Sequence, residues 1–200
     1  MNCHALRLDR AGRLMTDHAM VWVRYLNAPV EQVWPLVSTK QGLARWWIVL
    51  PRTFDLRIGG AFNHHWDNTI TSFEPFRYID FDEPAGSYRG TGGMRIELTS
   101  TGSQETTFMF LGTWGADVRP SAEAEASDAQ QDLVSQPAGP GTPWPSVAAG
   151  WHGMVDQLEQ QFRDDAPSHS VEDLAEFYVD YLKDQFRLLG MVQRSTEGKA

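Results

Sequence analysis

Two hundred residues and 22.6 kDa supply one sizeable domain with its own buried core, which excludes a mini-protein held together by staples. With 42% apolar residues, 22% charged residues and eight tryptophans, the composition is that of a folded globular chain rather than a disordered one. A net charge of −9 argues against nonspecific nucleic-acid binding, which rests on Lys and Arg neutralising phosphates.

The charge is unevenly placed. Residues 20–115 carry a net −1, whereas 116–146 and 164–200 carry −4 each, so the body is nearly neutral and the acidity lies in a loop and a tail. No uncharged apolar run approaches the roughly 18 residues of a membrane span, and the basic start Met1 to Arg13 lacks the apolar stretch of a secretory signal. Cys3 alone permits no intramolecular disulfide and no cysteine-based zinc or redox site. The expected compartment is the cytoplasm, and no membrane insertion is expected.

Residues 1–19 read as a loose N-terminal segment. Met20 to Ala28 is β-rich and ends at Pro29, which reads as the first residue of a short helix with Val30, Val33, Trp34 and Val37 on one face. Pro35 keeps that helix short or kinked. Thr39 caps a second helix, Lys40 to Trp47, which delivers the adjacent Trp46 and Trp47, one of them inward. From Thr53 the period is two, through Ile58 to the bend at Gly59-Gly60.

Ala61 to Trp66 then alternates, with Phe62, His64 and Trp66 on one face, and Asp67-Asn68 reads as the turn that follows. Further strands are expected at Thr69 to Phe73, Tyr78 to Asp82, Gly92 to Thr99 and Thr106 to Trp114. In the last of these, Phe108 and Phe110 compete with Met109 and Leu111 for the inner face, and alternation does not choose between them. Residues 116–146, with five prolines, six alanines and five acids, read as a flexible insertion.

After Pro145-Ser146, a helix carries Val147, Trp151, Met154, Val155, Leu158 and Phe162 on one stripe, and Gly150 and Gly153 suggest a close packing surface on it. Ser170, with Asp173 three residues later, caps a last helix closed by Gly190. Its broad apolar face packs on its own domain, the alternative being a homodimer contact through 171–189. Strands in a run followed by a helix give α+β.

This order resembles the SRPBCC superfamily, the Bet v 1-like or START-like helix-grip proteins. Within it the chain is most similar to the branch named for the activator of heat-shock-protein-90 ATPase. The matching pieces are Ala28-Pro29-Val30-Glu31-Gln32-Val33-Trp34, Leu43 with Trp46-Trp47, Asp55 to Phe62, Ser72-Phe73-Glu74-Pro75, Met94 to Leu98, and Gly150-Trp151. The resemblance covers about residues 20–163. It implies a curved antiparallel sheet gripping the long helix, with a cavity for an apolar ligand between them, and 164–200 added as a helical extension. It carries no catalytic signature to this chain.

The chemistry-bearing clusters are sparse. His64-His65 with Asp67 suggests a metal cluster, but adjacent strand residues point to opposite faces, so no metal site is expected, and no cofactor. There is no Gly-x-Ser-x-Gly elbow, and Arg89 to Gly93 lacks the Lys-Ser/Thr of a phosphate loop. General acid/base chemistry would use His64 with Glu74, Asp80, Arg95 or Glu97, although charges on half-buried strands are most often solvated or ion-paired. His64 is therefore the one catalytic candidate.

The expected ligand-binding set is Trp46, Trp47, Phe62, His64, Trp66, Phe73, Met94, Ile96, Met109, Trp151 and Val155, since pockets are lined by apolar and aromatic groups with a few polar handles. The expected function is binding of a small apolar or aromatic molecule without covalent chemistry. The alternatives are a chaperone-cofactor-like interaction module, and a cyclase or hydrolase using the same cavity.

Overall fold

Alternation in β2, Ala19–Leu26, sends Met20, Trp22, Arg24 and Leu26 inward and leaves Val23 and Tyr25 exposed. The structure is a computed structural model that describes residues 10–16, 19–47, 51–63, 67–82, 93–113, 145–163 and 169–188. His64, His65 and Trp66 lie outside the described residues. So do residues 1–9, Arg89 to Gly92, 114–144 and Gly190.

β2 sits inside one eight-stranded sheet with β1 (Arg13–Thr16), β3 (Thr53–Phe54), β4 (Ala61–Asn63), β5 (Asp67–Glu74), β6 (Tyr78–Asp82), β7 (Met94–Gly102) and β8 (Glu105–Thr113). The spatial order is β1-β2-β8-β7-β6-β5-β4-β3, and every pairing is antiparallel. Register shifts in the β1–β2, β5–β6 and β7–β8 pairs add local twist. The shift between Ile70 and Ser72 lets Ile70 and Phe73, three positions apart, pair opposite the inward residues Phe81 and Ile79.

The helices are α1 (Val30–Ser38), α2 (Lys40–Leu43), α3 (Pro145–Glu159) and α4 (Val171–Leu188). Pro29 is the residue before α1 rather than its first. Thr39 caps α2, its Oγ1 accepting from Gly42 N at 2.9 Å, and Ser170 Oγ accepts from Asp173 N at 3.0 Å at the start of α4. α1 packs on β7 and β8, α3 on β2, and α4 on α3 and β1. α4 thereby buries Leu174, Tyr178 and Leu182 against its own chain.

Several expectations are corrected. Arg13 to Thr16 form a strand where a loose segment is expected, because β2 offers them an edge to pair with. The second helix stops at Leu43, and the turn after it points both Trp46 and Trp47 inward, since residues outside a regular element escape its facing rule. The strand from Thr53 ends at Phe54. Asp67 and Asn68 are already strand, with Asn68 paired to Phe62, because cross-strand pairing overrides the local turn preference.

Candidate functional site

The concave face of the sheet is aromatic from β2 to β6. Trp22 meets Trp151 edge-on at 5.5 Å between ring centroids, Trp151 meets Phe110 at 5.6 Å, and Phe110 meets Trp47 at 6.0 Å. Trp47 in turn meets Phe62 at 5.2 Å, and Phe62 meets Phe81 at 4.7 Å. Most of these contacts are T-shaped, the arrangement in which a ring's positive edge meets its neighbour's negative face. Trp46 joins the run through Trp47 and Phe108, and its indole Nε1 donates to Leu36 O at 2.9 Å, so its one polar atom is satisfied.

β7 adds Met94, Ile96 and Leu98 to this interior, and α3 adds Val155 and Leu158. The sequence-expected residues Trp46, Trp47, Phe62, Met94, Ile96, Trp151 and Val155 thus share one core, and half-buried Phe73 packs against its edge. Met109 does not join them. β8 turns Phe108 and Phe110 inward and Met109 to the other face, opposite Val23 and Glu97. Burying a Phe contributes roughly 1.5–3 kcal/mol, and Phe108 and Phe110 find ring partners in Trp46, Trp47, Trp22 and Trp151 on the inner face.

Two glycines make the close packing possible. A Cβ on Gly112 would collide with the six-membered ring of Trp151, and one on Gly12 with the indole of Trp22.

An open groove of about 420 Å³ between β6 and β8 is lined mainly by residues that alternate with the inward ones, Asp80, Asp82, Arg95, Leu111 and Thr113, together with buried Phe81 and Met94. Arg95 donates to Asp80 and Glu97 and lies over the Tyr78 ring at 4.3 Å, so these charges form a paired outer face. Glu74 is likewise paired, with Arg77. His64 and Trp66 lie outside the described residues.

A second cluster escaped the apolar-stripe reading of α3. His152, Asp156 and Glu159, at i, i+4 and i+7, are all buried and line a polar stripe beside the apolar one. Asp156 Oδ1 accepts from Arg24 Nη2 at 2.7 Å and Nε at 3.2 Å, while Glu159 pairs with Arg10 and Arg24. Burial alone would raise the Asp156 pKa. The facing His152 edge and the Arg24 guanidinium outweigh it and hold the carboxyl well below the usual carboxylate range.

Tyr178 closes this cluster from α4. Its phenol oxygen accepts from Gly12 N at 2.8 Å and Trp22 Nε1 at 3.0 Å, and His152 Nδ1 lies 3.0 Å away. Burial pushes the phenol pKa up, so the hydroxyl keeps its hydrogen. With both lone pairs occupied, that hydrogen goes to His152 Nδ1, and the imidazole proton sits on Nε2. Burial also lowers the His152 pKa, which keeps the ring neutral.

The ligand atoms of His152, Asp156 and His169 lie within 4.8 Å of one another, which is close enough to suggest a cation site. The hydrogen bonding opposes that use. Nε2, the atom facing Asp156, carries the proton, and Arg24 already neutralises the carboxylate. The cluster acts as a clamp that fixes α3 and α4 against β2 and the segment before β1. Its signal, polar residues at helical spacing and Arg24 on the inward period of β2, was present in the sequence.

An antiparallel sheet curved against a long helix is the helix-grip architecture. The chain belongs to the family described as Activator of Hsp90 ATPase homolog 1-like protein, whose model matches residues 27–163. Its fold is similar to that of a conserved protein of unknown function, EF2215 from Enterococcus faecalis, with a TM-score of 0.62, 15% identity and coverage of 88% of this chain and 91% of that one. It is also similar to CalU16 from Micromonospora echinospora, with a TM-score of 0.56, 19% identity and coverage of 88% and 94%. No curated protein matches the sequence. Among the described residues, no helix is long and apolar enough to cross a membrane.

Proposed function

We propose that this chain binds a small apolar or aromatic molecule against the aromatic run between the concave sheet face and α3, without covalent chemistry. The observation that carries the reading is the unbroken run of aromatic rings, Trp22 to Phe81, gathered on the inner sheet face beside α3. Trp47, Phe62 and Phe81 offer ring edges and faces to an aromatic guest, and Met94, unbranched and polarisable, adapts to its outline.

Native mass spectrometry of the purified full chain, together with titration by the neutral fluorescent probe N-phenyl-1-naphthylamine, tests this. The expected results are an adduct lost on denaturation, or saturable probe binding that Met94→Ala weakens severalfold. A bare protein that leaves the probe unbound overturns the reading.

A further inference from the structure

We infer that the Asn68 side chain is the polar anchor of this site, and that it selects a neutral, planar aromatic ligand presenting a hydrogen-bond donor beside an acceptor, as a lactam or carboxamide edge does. Asn68 lies on β5 directly opposite Phe62, whose ring meets Phe54, Phe81 and Trp47. The residue is 2% exposed, and both its Nδ2 and its Oδ1 lack a hydrogen-bond partner. Burying an amide without hydrogen bonds is unfavourable enough that native structures seldom do it. The buried arginine Nε and imidazole Nε2 that also lack partners, in Arg10 and His152, belong to groups whose other nitrogen atoms are bonded. In Asn68 the whole functional group is unanswered.

The chemistry of the carboxamide sets the ligand class. It offers an acceptor and donors side by side in one plane, which a ligand edge carrying N–H next to C=O complements with two parallel hydrogen bonds. The ligand is neutral because, among the described residues, the buried Arg24 and the partly buried Arg10 are committed to Asp156 and Glu159, leaving a ligand carboxylate beside Asn68 without a described arginine to pair with. It is planar and aromatic because the neighbours of Phe62 are rings.

The inference rests on the binding proposed above, and the test separates the two. Isoquinolin-1(2H)-one, which carries the lactam edge, and naphthalene, the same two rings without it, are titrated by tryptophan fluorescence against the full chain and Asn68→Leu. Losing both hydrogen bonds should weaken isoquinolinone by at least about tenfold, with naphthalene changed less than about threefold. Asn68→Thr, with the same expectation, serves if the leucine variant does not fold. Equal isoquinolinone affinity in the wild type and the variant overturns the anchor while leaving the binding site standing, as when a water molecule satisfies Asn68. Failure of both probes to bind the wild type overturns both.

Discussion

Trp22 and Tyr178 are joined by a hydrogen bond of 3.0 Å between indole Nε1 and phenol oxygen, across a separation of 156 residues. One residue stands at the head of the aromatic run and the other at the centre of the polar clamp. The contact therefore couples the face that lines the proposed site to the helix that closes the fold.

Tyr178→Phe removes only an oxygen atom, yet it strands the indole N–H of Trp22, the backbone N–H of Gly12 and the acceptor nitrogen of His152. Each unsatisfied buried group costs about 1–3 kcal/mol, so the variant should lose about 2–4 kcal/mol in urea unfolding, allowing for relaxation. A loss below about 0.5 kcal/mol would mean that the phenol is not the hub described here.

Stability should fall as the pH drops through the histidine range. The His152 pKa is lowered from 6.5 in the folded protein by burial, so just below that value the unfolded chain binds the extra proton and the folded one does not. Asp156 works in a different window. Its lowered pKa contributes stability that is fully present above the ordinary value of 3.8 and is lost only as the pH falls towards the folded value. Urea midpoints at about pH 7.5 and about pH 5.5 should therefore fall more for the wild type than for His152→Gln, which cannot titrate. Equal drops would place the effect on another group.

Gly112→Ala puts a Cβ where the Trp151 ring lies, whereas a Cβ on exposed Gly102 meets only the flexible Glu105 side chain, at 3.4 Å. Overpacking of this kind costs about 1–3 kcal/mol. Thermal melts should show Gly112→Ala destabilised and Gly102→Ala close to wild type. A neutral Gly112→Ala would show that Trp151 does not rest on β8.

Much of this protein is local and legible. The span Tyr78 to Asp82 is a strand residue for residue, Thr39 and Ser170 cap the helices they precede, and the ordered pieces from Ala28 to Trp151 identify the family. Each rests on neighbours within a few positions, where propensity and hydrogen-bonding chemistry act directly.

The remainder depended on partners far away in the chain. Alternation assigns Phe108, Met109 and Phe110 to two faces of β8, but only Trp22, Trp46, Trp47 and Trp151 gathered on one side determine which face is the interior. Asp67-Asn68 has turn chemistry, and pairing with β4 made it strand and turned a buried amide toward Phe62. His152, Asp156 and Glu159 show their helical spacing in the sequence, yet their partners Arg24 and Tyr178 come from a strand and a helix on either side of α3. Sequence by itself determined most of the elements, their order and the family, because those follow from short-range sterics and capping. Tertiary structure alone decided which side chains are inside and which polar groups are answered, because burial and hydrogen-bond satisfaction belong to the assembled surfaces and not to any one segment.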